Sequence, residues 1–107
     1  MDFDVLYAAL INKAERKGRT KEEVDEVTSW LTGYSKEQIG EMRKSKISYR
    51  QFLENAPAYH PHSELITGKV CGIQVETIED PLTKRMRQLD KLVDELAKGK
   101  SMKDILR

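Results

Sequence analysis

A chain of 107 residues has room for one hydrophobic core and not two, and on folding it buries about two thirds of the surface that its unfolded form exposes. Charged side chains make up 35% of the sequence, yet 19 basic and 18 acidic residues leave a net charge of +1, so overall charge points to neither nucleic acid nor an anionic membrane as partner. A lone cysteine, Cys71, excludes an internal disulfide framework; with no long apolar run and no basic leader, no membrane partner is expected and the expected location is the cytoplasm.

In chain order, Phe3, Leu6, Leu10 and Ala14 share one face of a first helix between Asp2 and Lys17, flanked by Tyr7 and Ile11, and Gly18 is placed to end it. Thr20 and Glu23 form a capping box for a second helix, in which Val24, Val27 and Leu31 make the apolar face beside Trp30. Thr32, Gly33 and Tyr34 close it. Ser35 and Gln38 repeat the box ahead of a weaker third helix carrying Ile39 and Met42, whose internal Gly40 costs about 1 kcal/mol relative to alanine. Ser48 and Gln51 open a short fourth helix with Phe52 and Leu53, which cannot run through Pro57.

Residues 55–68 are irregular. The stretch from Lys69 to Ile78 favours β structure, with Val70, Ile73, Val75 and Ile78 apolar and Gly72 a bend, so a short hairpin or a single extended arm is expected there, lying on the helices. The long C-terminal helix then begins at Asp80, a good N-cap, followed by Pro81 at the first helical position. Leu82, Met86, Leu89, Val93 and Leu96 recur at steps of four and three, Leu92 widens the stripe, and Gly99 supplies the stop. At about 18 residues this helix is roughly 27 Å long, enough to serve as the axis on which the rest packs. Ser101 caps a last turn with Met102, Ile105 and Leu106. The reading is a mainly α single domain over residues 1–107 with a long C-terminal helix and one short hairpin near 69–78.

The segments AERKGRTKEEVDEVTSWLTGYS, residues 14–35, and LITGKVCGIQVETIEDPLTKRMRQLDKLVDELAKGKSMKDILR, residues 65–107, resemble a small uncharacterised bacterial family, domain of unknown function 2200. The resemblance extends over nearly the whole chain and is weakest over residues 36–64; Met1 and Asp2 stand where the family carries a slightly longer leader. It implies a compact, mainly helical bacterial protein and brings with it no activity, cofactor or catalytic residue.

Three constellations are chemically suggestive. Lys13, Arg16, Lys17, Arg19 and Lys21 place five basic residues in nine positions, and the free amides after Thr20 at the start of the second helix would join them in holding a phosphate or carboxylate. The bland alternative is that Arg16 and Lys17 offset the negative end of the first helix and the others are solvated. Residues 20–43 have the outline of a helix-turn-helix that would present Lys36, Gln38 and Arg43 to a groove, with Lys44, Lys46 and Arg50 near phosphates; Gly40, Glu37 and Glu41 argue instead for a plain helical corner.

His60, His62 and Cys71 would need a fourth zinc ligand such as Glu64 or Asp80 at no recognised spacing, and Cys71 reads more simply as a small buried residue. The same residues could pair a thiol with an imidazole base, but the chain has no glycine-rich phosphate loop, nucleophile elbow or zinc-helix motif. No metal or cofactor is therefore assigned. The expected role is a small binding or assembly module without catalytic activity, its partner another protein or a second copy of the chain. The alternative is a phosphate or nucleic-acid binder acting through Lys13, Arg16, Lys17, Arg19, Thr20 and Lys21.

Overall fold

Helix starts in this chain are set by side chains spaced to reach their own backbone. The computed structural model describes residues 2–70 and 72–107. In it Thr20 accepts from the Glu23 N–H at 3.2 Å while Glu23 accepts from the Thr20 N–H at 3.0 Å. Ser35 with Gln38 and Ser48 with Gln51 close the same reciprocal box. Asp80 accepts from the Thr83 N–H at 2.9 Å, and Ser101 from the Asp104 N–H at 3.3 Å. The helices that follow are α1 (Phe3–Glu15), α2 (Lys21–Thr32), α3 (Lys36–Lys44), α4 (Tyr49–Glu54), α5 (Pro81–Ala97) and α6 (Met102–Ile105). None of them is long and apolar enough to cross a membrane.

Helix α5 is the axis, packed against α1, α2 and α4 along its length and against α6 at its end. Leu89, Leu92, Val93 and Leu96 are fully buried, while Leu82 and Met86, nearer its start, are half-buried. On the other side of the core, Phe3 stacks on Phe52 at 3.9 Å and Tyr34 stacks on the same ring at 4.6 Å. The Tyr34 hydroxyl donates to the Phe52 carbonyl and the Tyr49 hydroxyl to the Met86 carbonyl, at 2.9 and 3.2 Å, so these buried rings carry satisfied polar ends.

The stretch expected to be β-rich is less extended than its composition suggests. Strands β1 (Lys69–Val70) and β2 (Ile73–Gln74) pair antiparallel, Lys69 opposite Gln74 and Val70 opposite Ile73, and the pairing ends there. Val75 turns inward to full burial, its N–H donating to the Gly68 carbonyl at 2.9 Å, and residues 75–77 close a 3-10 turn. Val75, packed against α5, keeps this one cross-strand bond while its backbone turns out of the strand. The expectation that Cys71 is a small buried core residue lies outside the described residues.

The irregular segment 55–68 has a definite task, which is to finish α2. The Ala58 N–H donates to the Thr32 carbonyl at 3.1 Å and the His60 N–H to the Leu31 carbonyl at 2.8 Å, satisfying acceptors that the helix leaves open. Gly33 makes this approach possible: its φ is +84°, and a Cβ there would lie 2.7 Å from the Ala58 side chain and 2.8 Å from its backbone nitrogen. A second 3-10 turn at Pro61–Leu65 then leads to the hairpin, and buried Gln88 of α5 holds it, donating to the Ser63 carbonyl at 3.1 Å and accepting from the Tyr59 hydroxyl.

Leu89→Ala, at the centre of the buried stripe, should lower stability by about 2–5 kcal/mol through lost burial and a residual cavity. Denaturant unfolding measures it, and an unchanged midpoint would place the stripe outside the core. All four tyrosines, Tyr7, Tyr34, Tyr49 and Tyr59, have their phenol pKa raised, in each case first by burial. A raised folded-state pKa gives a contribution to stability that is complete below the unfolded value of about 10 and is lost as pH rises through the folded value. Ultraviolet titration should therefore show no tyrosinate step near that pH, ionisation arriving only with alkaline unfolding. A step in the still-folded protein would mean that the phenols are open to solvent.

Candidate functional site

The basic run at the α1–α2 junction is distributed among separate partners. Lys13, in the last turn of α1, pairs with Asp94 of α5 at 3.2 Å. Burial raises the Asp94 carboxyl, but the hydrogen bonds and charges of Lys98 and Lys13 outweigh it and leave the group below its ordinary value. Arg19 makes the most contacts of the five. Its Nε and Nη2 donate to Glu23 at 3.1 and 2.8 Å, and its Nη1 donates to the carbonyls of Leu96 and Lys100 at 3.1 and 2.7 Å. It is thus a cation seated on the negative end of α5. Lys21 pairs with Asp25 at 2.8 Å.

The N–H and hydroxyl of Thr20 are both engaged with Glu23, whose carboxyl is held below its ordinary value, first by Arg19. A carboxylate of the protein itself thus occupies the entrance of α2, where an external anion was expected. Arg16 and Lys17 are exposed.

The histidines are in contact but otherwise engaged. Their rings lie 5.0 Å apart, His60 stacks on Trp30 at 4.1 Å and accepts from the His62 N–H at 3.0 Å, and His62 Nδ1 lies 2.9 Å from the Arg107 carbonyl oxygen. Burial and the neighbouring His62 lower the His60 pKa. Cys71, named with them as a zinc ligand or nucleophile, lies outside the described residues.

A different set of residues is gathered where α1, α2 and α3 meet, around an open pocket of about 330 Å³. Buried Asp25 forms its inner wall, accepting from the Tyr7 hydroxyl at 2.6 Å on one oxygen and from Lys21 at 2.8 Å on the other. Burial first, and then the Asp25 hydrogen bond, push the Tyr7 phenol well above its ordinary value, so it stays neutral and donating. Arg43 comes from α3, its Nε bonded to Asp4 of α1 at 2.6 Å and its guanidinium 5.5 Å from the centre of the Tyr7 ring. Among the described residues its two terminal nitrogens have no protein acceptor.

Lys36 and Lys44, from the two ends of α3, complete the rim, both exposed and neither within ion-pair distance of a carboxylate among the described residues. Gly40 lies between them. Of the residues weighed as a helix-turn-helix, Lys36, Arg43 and Lys44 meet here, together with Lys21 from the basic run. Gln38 instead caps its own helix, at 2.8 Å from the Ser35 N–H. Asp4, Tyr7 and Asp25 had no sequence signal beyond a polar residue on an otherwise apolar face of α2.

A second depression, about 360 Å³, lies beside the first turn of α5 near Arg50 and Asp80. Its Arg85 is engaged, donating to the Leu53 carbonyl at 2.8 Å and lying 4.1 Å over the Tyr59 ring. Its other arginine, Arg50, is exposed and has no hydrogen-bond partner to orient it among the described residues.

Arg19→Ala should destabilise the fold by about 1.5–3 kcal/mol, since a charged donor set is removed from two carbonyls and a carboxylate. Arg16→Ala should change stability by no more than about 0.5 kcal/mol. Chemical denaturation of the two variants checks this, and equal midpoints would show that the Arg19 clamp contributes nothing.

Comparison with known proteins places the chain. Residues 1–107 match a family described as "Uncharacterized protein conserved in bacteria (DUF2200)". Among solved structures, the crystal structure of uncharacterized protein SP1917 is 48% identical, with a TM-score of 0.95 over 99% of this chain and 87% of that one. No curated protein matches. With the family covering the chain from end to end and a solved relative of the same fold, the chain belongs to the uncharacterized bacterial family DUF2200.

Proposed function

We propose that this protein is a non-catalytic binding module whose site is the pocket between α1, α2 and α3, and that its ligand is a small anion bearing phosphate or carboxylate groups. The observation that carries the reading is Arg43. Its Nε is fixed by Asp4 and its Cζ lies 5.5 Å over the centre of the Tyr7 ring, which leaves the two terminal nitrogens without a protein acceptor among the described residues. A guanidinium held in this way loses little freedom on binding and matches a carboxylate or phosphate in bidentate geometry. Lys36 and Lys44 add positive charge, neither within ion-pair distance of a carboxylate among the described residues, while the two carboxylates of the lining, Asp4 and Asp25, are paired with Arg43 and Lys21.

Binding without catalysis is favoured by the residues present. None of the side chains lining the pocket is serine, threonine, cysteine or histidine. The nearby Tyr7 phenol has its pKa pushed up, the opposite of what an activated nucleophile needs. An assembly role has less support. The large apolar side chains exposed among the described residues are Val5, Leu65 and Ile73, too little surface for an obligate interface.

The test is titration with phosphate, sulfate and acetate at low and high salt, followed by amide shifts. Shifts should concentrate on α3 and the start of α2, fall with salt, and weaken by about tenfold in Arg43→Lys, which keeps the charge but loses the fork. Arg16→Ala should bind as the parent does. Binding that survives Arg43→Lys but is lost in Arg16→Ala would move the site to the exposed face of the 13–21 run, and tighter binding of short oligonucleotides there would favour a nucleic-acid ligand.

A further inference from the structure

Gly40 has no structural reason to be glycine. The other five glycines, Gly18, Gly33, Gly68, Gly72 and Gly99, all take positive φ, which L side chains avoid, whereas Gly40 sits inside α3 with helical backbone. A Cβ built on it would meet nothing within 4 Å, so close packing does not demand it either. It weakens a short helix and fills no internal need. What it does provide is bare backbone on the wall of the pocket, and such a surface lets a ligand approach a helix more closely than any side chain would permit.

Its neighbours on that face are lysines. Lys36, Gly40 and Lys44 recur every four residues, so they stand in one row along α3, with Arg43 beside the row. The acidic residues of the same helix, Glu37 and Glu41, are exposed and do not line the pocket. Resting on the anion reading above, we infer that the ligand is a bis-anion. It lies along α3 with one charged group at Lys36, the other at Lys44 within reach of the Arg43 fork, and its uncharged middle against Gly40. Eight residues of helix set the two lysine backbones about 12 Å apart, an upper limit on the separation of the ligand's charges when both side chains lean inward. The pocket volume, about 330 Å³, suits a small bisphosphate or dicarboxylate.

The experiment compares inorganic phosphate with alkane-α,ω-bisphosphonates of increasing chain length by calorimetry, on the parent protein and on Lys36→Gln, Lys44→Gln and Gly40→Ala. Affinity should rise by about tenfold or more from phosphate to a bisphosphonate of optimal length, then fall as the chain outgrows the row. Either glutamine substitution should abolish the gain over phosphate. Gly40→Ala should raise the melting temperature and weaken the bisphosphonate together, and because the variant is more stable its loss cannot be assigned to unfolding. If phosphate and every bisphosphonate bind alike and Gly40→Ala binds as the parent does, the two-ended ligand is wrong while the anion pocket stands. If none of these anions binds, the anion reading fails and takes this inference with it.

Discussion

Burial of the second half of α5 is the constraint on which the other elements depend. Leu89, Leu92, Val93 and Leu96 are fully enclosed, but so, nearly, are Gln88 and Glu95, which means the helix is covered on more than its apolar stripe. Glu95 is held by the Arg107 guanidinium at 2.6 and 2.8 Å, a pairing that offsets the cost of removing its charge from water. Elements that reach this axis are fastened to it by one or two polar contacts each: α4 by Tyr49 to the Met86 carbonyl and by Arg85 to the Leu53 carbonyl, α1 by Lys13 to Asp94, and the α1–α2 junction by Arg19 to the carbonyls where α5 ends. Burial supplies the stability, and these few directed contacts choose among the ways of packing smooth helices.

This division explains what could be read in the sequence. Capping boxes and apolar stripes are signals within four or so residues, and each of them marks a helix of the structure. The fold class and the long C-terminal helix were legible for that reason. The 55–68 segment was not, because its order comes from carbonyls at the end of α2 more than twenty residues earlier and from Gln88 later in the chain. The short hairpin near 69–78 is present, but its strands stop before Val75, whose β-branched side chain suits a strand and is buried instead in a 3-10 turn packed on α5.

The candidate site shows the same limit more sharply. A run of five cations is conspicuous in a sequence, yet a cation is useful to a ligand only through donors that its partners in the protein leave free. Lys13 is paired with distant Asp94, Lys21 with Asp25 four residues on, and Arg19 with Glu23 and with carbonyls at the far end of the chain. The fork at Arg43 depends on Asp4, separated from it by 39 positions. No local pattern relates those two residues; the packing of α1 on α3 does. Local charge density was visible and local charge balance was not, and the second is what governs affinity for an anion.

The stacking of Trp30 on His60 has a practical consequence. Trp30 is the sole tryptophan, and its partner ring belongs to the segment that finishes α2, so indole emission reports on that joint. An imidazole in contact with an indole quenches it differently when protonated, and burial together with His62 favours the neutral ring of His60. Emission is therefore expected to change when acid protonates His60, an event at one contact. A fluorescence change on acidification is then not by itself global melting, and circular dichroism recorded in parallel separates the two.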